Sequence, residues 1–434
     1  MSDHEREPFM PSRRQFIKYG AGSALGIGLA ATGIPLFRGY ASEVSAAPLY
    51  VPNLVTGSNI PANPEDRTLV VLQLAGGNDG LNTVIPYKDP TYAQLRPTIG
   101  QKASEVLPIT DTLALHPGLR SLVDIFNNGK LAIVEGVEYP HPNYSHFRST
   151  DIWMTADDQT AVGTLGWIGH ALDHLSHHPA LVAASLGVTT PRALVGVQPT
   201  DIALGGSLKD FTYKPVGKID PGAVSAIYDY MNSVTTADSK YAKLITSSHA
   251  IAQDAMAGVA KVAAGYTPSV KYPMTQLGAG LQTVAQMIHG GVGARVLYLA
   301  TGGFDTHSNE RETHDRLMGY LGDGLGAFWQ DITAHGHADN VTLMTFSEFG
   351  RRPTENASRG TDHGSAAPLF VMGGSVKGGI YGDAPSLTDL DNNNLKVQQD
   401  FRTVYAAMLQ NWLGFDPTDV LPGGAYQPLP LFNS

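Results

Sequence analysis

Five short apolar runs punctuate this chain, and most of them stop abruptly at polar residues. Residues 69–75 run into Gly76-Gly77-Asn78-Asp79, residues 295–300 into Gly302-Gly303-Phe304-Asp305, and residues 341–346 into Ser347-Glu348. A fourth run, 131–134, precedes Glu135, and a fifth, 368–372, follows Asp362-His363-Gly364. Continuous apolar stretches of this length, bounded by turn residues, predict strands buried on both faces. Between them, apolar positions at helical spacing predict helices over 119–126, 276–288, 311–332 and 401–413. Alternation of this kind predicts an α/β fold: a doubly wound, mostly parallel sheet with helices on both faces. Ligands of such sheets bind beyond the carboxyl ends of the strands, which is where the polar residues fall.

Residues 161–273 break the rhythm, with loop-like sequence over 205–220 and helix formers over 241–262; they predict a largely helical insertion or cap on the core sheet. The N-terminus has a separate logic. Ser12-Arg13-Arg14-Gln15-Phe16-Ile17-Lys18 reads as a twin-arginine export motif, followed by an apolar, glycine-rich stretch over 21–36 and small residues at Ala41, Ala46 and Ala47. That stretch is shorter than the roughly 20 residues a spanning helix needs, and Gly, Ser and Thr dilute it. Residues 1–47 are therefore read as a signal peptide and 48–434 as the folded domain, periplasmic or secreted, with the twin-arginine machinery as partner and no stable membrane span.

Composition narrows the chemistry. The formal net charge is -10, with 42% hydrophobic and 16% charged residues, an ordinary globular balance without the basic stripe that nucleic acid requires. No cysteine is present, which removes disulfides, thiolate catalysis and zinc-thiolate sites together. A divalent metal would have to sit on His, Asp, Glu or hydroxyl ligands, so Zn, Ca, Mg or Mn are the candidates, one ion or two.

The polar strand ends supply such ligands. Asp79, next to Asn78, is either a rim carboxylate or the side chain of a turn. Ser145 stands before a helical stretch, beside His146 and Arg148, where it suits either a nucleophile near helix amides or a plain N-cap. Asp305 and His307, two residues apart, can point at one ion or form a structural pair. His314, further along, reads as a helix-face residue without a direct role. Glu348, Asp362 and His363 add two carboxylates and an imidazole to the same edge, and Arg148, Arg351 and Arg359 are candidate anion clamps.

Together these motifs resemble the alkaline phosphatase superfamily of phosphatases, sulfatases and phosphodiesterases. More closely, Gly76-Gly77-Asn78-Asp79-Gly80-Leu81-Asn82, Ser145-His146-Phe147, Phe304-Asp305-Thr306-His307, Ser347-Glu348-Phe349-Gly350-Arg351, Thr361-Asp362-His363-Gly364 and Asp400-Phe401-Arg402-Thr403-Val404-Tyr405 resemble the bacterial family called "domain of unknown function 1501". The resemblance implies an alkaline phosphatase-like fold in which Ser145 is the catalytic nucleophile and Asp79, Asp305, His307, Glu348 and His363 hold metal. Asn78, His146, Arg148, Arg351 and Asp362 would contact substrate or support the ligands. Phe349 departs from the superfamily pattern, which places an imidazole there; one ion would then be absent, or completed by Asp362 or His146. Asp362-His363-Gly364 aligns either with the superfamily's earlier Asp-His-Gly or, as its spacing favours, with the later histidine. The implied function is an exported metal-dependent hydrolase of small-molecule or polymer phosphate or sulfate esters. The alternative is a non-catalytic exported binding or assembly protein on the same fold.

Overall fold

The computed structural model describes residues 63–160, 165–176, 181–187, 189–197, 201–204, 262 and 265–433. The export motif, and most of the stretch read as an insertion, lie outside these residues. The central sheet contains nine strands: β1 (Thr68–Leu74), β2 (Leu131–Glu138), β3 (Ala183–Leu186), β4 (Asp201–Leu204), β5 (Val296–Thr301), β6 (Val341–Phe346), β7 (Ala367–Gly373), β8 (Gly379–Tyr381) and β9 (Gln399–Asp400). Their order is β8-β2-β7-β6-β1-β5-β3-β4, with β9 also on β2. All pairings are parallel except those of β7, which runs antiparallel to β6 and β2.

The alternation of side chains along β1 explains why this strand lies at the centre. Val70 and Leu72 point into one apolar layer, with Leu297, Leu343 and the helices α4 (Gln276–His289) and α5 (Glu310–Ala334). Leu69 and Val71 point into the opposite layer. There they join Val296, Met344 and aromatic residues of α2 (His146–Thr155), α3 (Trp167–Asp173) and α6 (Phe401–Ala407). A strand with both faces covered needs apolar residues at successive positions, and each such side chain fully buried contributes about 1.5–3 kcal/mol. A further helix, α1 (Arg120–Asn127), packs on α5 and β2. The expected α/β architecture is thus observed, and the predicted strands and helices appear close to their expected bounds.

Two details differ. β2 continues past Glu135 to Glu138, and both carboxylates are buried within the strand. Burial pushes the Glu135 carboxyl up to about 8, which lets it sit there uncharged. Residues 183–186 and 201–204, inside the stretch read as an insertion, are strands of the central sheet, on its β5 side. Among the described residues no helix is long and apolar enough to cross a membrane.

Direction decides where the site lies. The carboxyl ends of β1, β2, β5 and β6 share one edge of the sheet, and because β7 is reversed, the residues just before it return to that same edge. The short antiparallel pairing of Gly350–Arg351 with His363–Gly364, which aligns Arg351 with His363, sits there too.

Candidate metal centre

Glycines bring the loops of this edge together. Gly76 has φ +125°, and a Cβ there would stand 2.5 Å from the Asp305 nitrogen; Gly77 has φ +75°, and a Cβ there would meet the Phe349 ring at 2.3 Å. The β1 turn therefore lies directly against the loops after β5 and β6. Arg351 then locks them. Its fully buried guanidinium donates to the carbonyls of Gly76, Gly77, Phe304 and Thr361 and, through Nη2, to Asp305 Oδ1 at 2.7 Å. With every donor atom engaged, Arg351 holds the Asp305 loop in place and is not available to clamp an anion.

On this frame two imidazoles converge on one carboxylate. His146 Nδ1 lies 2.8 Å from Glu348 Oε1, which also accepts from the Gly76 N–H. His363 Nδ1 lies 2.8 Å from the Tyr144 carbonyl oxygen. A carboxylate and a carbonyl oxygen accept, so each Nδ1 carries a proton, and in the neutral form of either ring the lone pair of Nε2 faces the other way. His363 Nε2 stands 3.2 Å from Asp305 Oδ1, and His146 Nε2, buried and in no hydrogen bond among the described residues, stands 3.5 Å from Asp305 Oδ2. His307 Nε2 joins at 3.0 Å from Asp305 Oδ1 and 2.9 Å from His363 Nε2. Lone pairs facing a carboxylate and one another repel unless a cation or a proton lies between them. Burial would raise the Asp305 carboxyl, but the Arg351 guanidinium, hydrogen-bonded to it through Nη2, outweighs burial and holds it down at about 2. Burial pushes His363 below its ordinary value, so the ring stays neutral and suited to a metal. One ligand atom each from His146, Asp305 and His363 lie within 4.8 Å of one another, and these residues fit a divalent ion with nitrogen and oxygen ligands.

Around this group the remaining candidates separate. Glu348 backs His146, and its second oxygen is buried and has no hydrogen-bond partner among the described residues. Asp362 is exposed, accepts from Asn356 and stands 3.7 Å from His307 Nδ1. Ser145 is the N-cap residue of α2, but its side chain makes no capping hydrogen bond. It is exposed, and both its neighbours, Tyr144 and His146, touch the cluster. Arg148 is paired with Asp151 at 3.0 Å. Phe349 is buried, its ring centroid 4.9 Å from that of His146 and 4.5 Å from that of His363. It forms an apolar wall behind both imidazoles.

Asp79 and Asn78 belong to a second, fully interior group. Asp79 Oδ2 accepts from Arg96 at 2.5 Å, with both side chains completely enclosed. Burial would raise Asp79, yet Arg96 outweighs it and holds the carboxyl below the ordinary range. Beside it, burial and the Asp79 charge push Glu310 up to about 9, while its Oε2 accepts from Thr361. His314 lies on the buried face of α5: its Nε2 stands 3.2 Å from Asn78 Oδ1, and desolvation pushes it down to about 4. The structure does not bring Asp79 to the imidazole cluster. Arg96, Glu310 and His314 were missed as a group; the one local signal was the spacing of Glu310 and His314, four residues apart on one face of a helix.

Comparison with known proteins gives a family match and no activity. No curated protein matches the sequence. Solved structures with similarity include the C-terminal periplasmic domain of EcEptC from Escherichia coli, in complex with Zn (9% identity, 75% of this chain and 77% of that chain, TM-score 0.35). They also include the lipoteichoic acid synthase LtaP from Listeria monocytogenes (9%, 84% and 77%, 0.35) and the PsFucS1 sulfatase from Pseudoalteromonas sp. (13%, 83% and 70%, 0.36). Residues 217–431, which include Asp305, His307, Glu348 and His363, match the family described as "Protein of unknown function (DUF1501)".

Proposed function

We propose that this protein is an exported, metal-dependent hydrolase of phosphate or sulfate esters with Ser145 as its nucleophile. The observation that carries the reading is the convergence of His146 Nε2 and His363 Nε2 on Asp305, with both Nδ1 protons committed elsewhere. His146, Asp305 and His363 would hold the ion, with His307 alongside and Glu348 fixing the His146 tautomer. A bound ion supplies Lewis-acid polarisation of a phosphoryl or sulfuryl oxygen and lowers the pKa of a nearby hydroxyl.

The protein supplies the rest. Ser145 is exposed, spends no side-chain hydrogen bond on capping and stands at the start of a ten-residue helix, whose first amides and dipole favour an anion. Its Oγ forms a bond to phosphorus or sulfur as the bond to the ester oxygen breaks, and the departing oxygen takes up a proton. Water then cleaves the seryl ester and returns the hydroxyl. Ser145→Ala is expected to lower turnover of aryl phosphate and sulfate esters by about a thousandfold or more while leaving bound metal unchanged. Full turnover by that variant would overturn the assignment.

Phe349 favours a second reading, a binding or assembly role. It places an apolar ring against the imidazoles where an additional ligand would complete a second ion. A metal-loaded protein that turns over no ester in a broad screen would support that role. The export part of the proposal rests on Arg13 and Arg14. Changing both to Lys is expected to retain folded protein in the cytoplasm, and undiminished export would contradict it.

A further inference from the structure

A cavity of about 430 Å³ opens beside the start of α2, next to the helix terminus that carries Ser145. Asn143 ties the two places together: its Oδ1 accepts from the Ser145 N–H at 2.9 Å, and its side chain lines the cavity. Arg148, in the first turn of α2, lines it as well. The volume falls in the range of about 300–1,000 Å³ typical of small-molecule sites.

The guanidinium and carboxylate charges that line this cavity are already paired. Arg402 donates from Nε and Nη2 to Asp400 at 2.8 and 2.7 Å, and from Nη1 to Asp158 at 3.0 Å. Its guanidinium also stacks 4.8 Å above the Tyr426 ring. Arg148 is held by Asp151 and by the Asp157 carbonyl. A paired guanidinium attracts an anion poorly, and a paired carboxylate attracts a cation poorly. Two side-chain amides are left half-used: Gln159 Nε2 donates to Asp158, while among the described residues Gln159 Oε1 and Asn143 Nδ2 have no hydrogen-bond partner. A partly buried tyrosine, one free amide acceptor and one free amide donor match a ligand that is uncharged and rich in hydroxyl groups.

From this we infer that the cavity holds a neutral sugar or polyol unit, the non-reacting portion of the ester whose charged group lies at Ser145. The link to Ser145 rests on the proposed hydrolase; the binding of a neutral sugar does not. The test is saturation-transfer NMR of the full-length protein with a panel of unesterified neutral mono- and disaccharides and glycerol, beside inorganic phosphate and sulfate. The expected result is saturation transfer from at least one neutral sugar, persisting in Ser145→Ala and Asp305→Ala. In Gln159→Ala and Tyr426→Ala the sugar should bind about tenfold more weakly, at unchanged melting temperature and metal content. Gln159 is exposed, so its variant keeps the test valid if Tyr426→Ala folds poorly. No transfer from any sugar, or displacement of a bound sugar by phosphate in Asp305→Ala, would overturn the inference. Loss of ester turnover in Ser145→Ala without any sugar binding would leave the hydrolase standing and remove only the sugar site.

Discussion

At the residue scale, what this site can bind follows from which nitrogen of two histidines carries a proton. Glu348 and the Tyr144 carbonyl each take an Nδ1–H, and that leaves two Nε2 lone pairs aimed at Asp305. Glu348→Gln should weaken metal affinity by about 10–100-fold, measured by chelator competition, because an amide can present its NH₂ to His146 and reverse the tautomer. Unchanged affinity would show that Glu348 does not orient the ring. Glu310 makes a different prediction. Its folded value, about 9, lies above the ordinary 4.5, so its contribution to stability is complete below about 4.5 and is lost as pH rises towards 9. Glutamine there can still accept from Thr361 and can donate permanently to Asp79. Glu310→Gln should therefore flatten the fall in melting temperature between pH 6 and pH 9, and a fall as steep as in the unmodified protein would contradict a carboxyl held protonated beside Asp79.

At the scale of elements, the site is made of strand ends and turns whose backbone leaves little freedom. Gly77 combines a positive φ with a ring edge where its Cβ would be. Gly77→Ala should lower stability by about 2 kcal/mol or more, seen as a drop in melting temperature, with metal affinity falling as the Phe349 wall shifts. A melting temperature unchanged in that variant would show that the turn is not packed as described. Much at this scale was legible in the sequence, because buried parallel strands announce themselves as apolar runs and their polar stops mark one edge. The bounds of β2 were less legible: Glu135 looks like a stop after the apolar run, and only burial reveals it and Glu138 as interior carboxyls. Residues 183–186 and 201–204 are short strands without a strong pattern, and their membership in the sheet depends on pairing with β5 and with each other.

At the scale of the whole molecule, one reversed strand completes the site. Because β7 runs against its neighbours, His363 meets Asp305 from the preceding turn of chain, 58 residues away in sequence, while α2 brings His146 from the far side of β7. Sequence could place these residues at the same edge, but it could not show that His146 joins them or that Asp79 turns inward to Arg96, since both depend on contacts between distant segments. The central claim is that the edge binds metal through His146, Asp305 and His363. The most direct test is elemental analysis of the purified protein beside an Asp305→Ala, His363→Ala double variant. The account predicts about one divalent ion per chain in the unmodified protein and none in the variant. A metal-free unmodified protein, or a variant that keeps its ion, would contradict it.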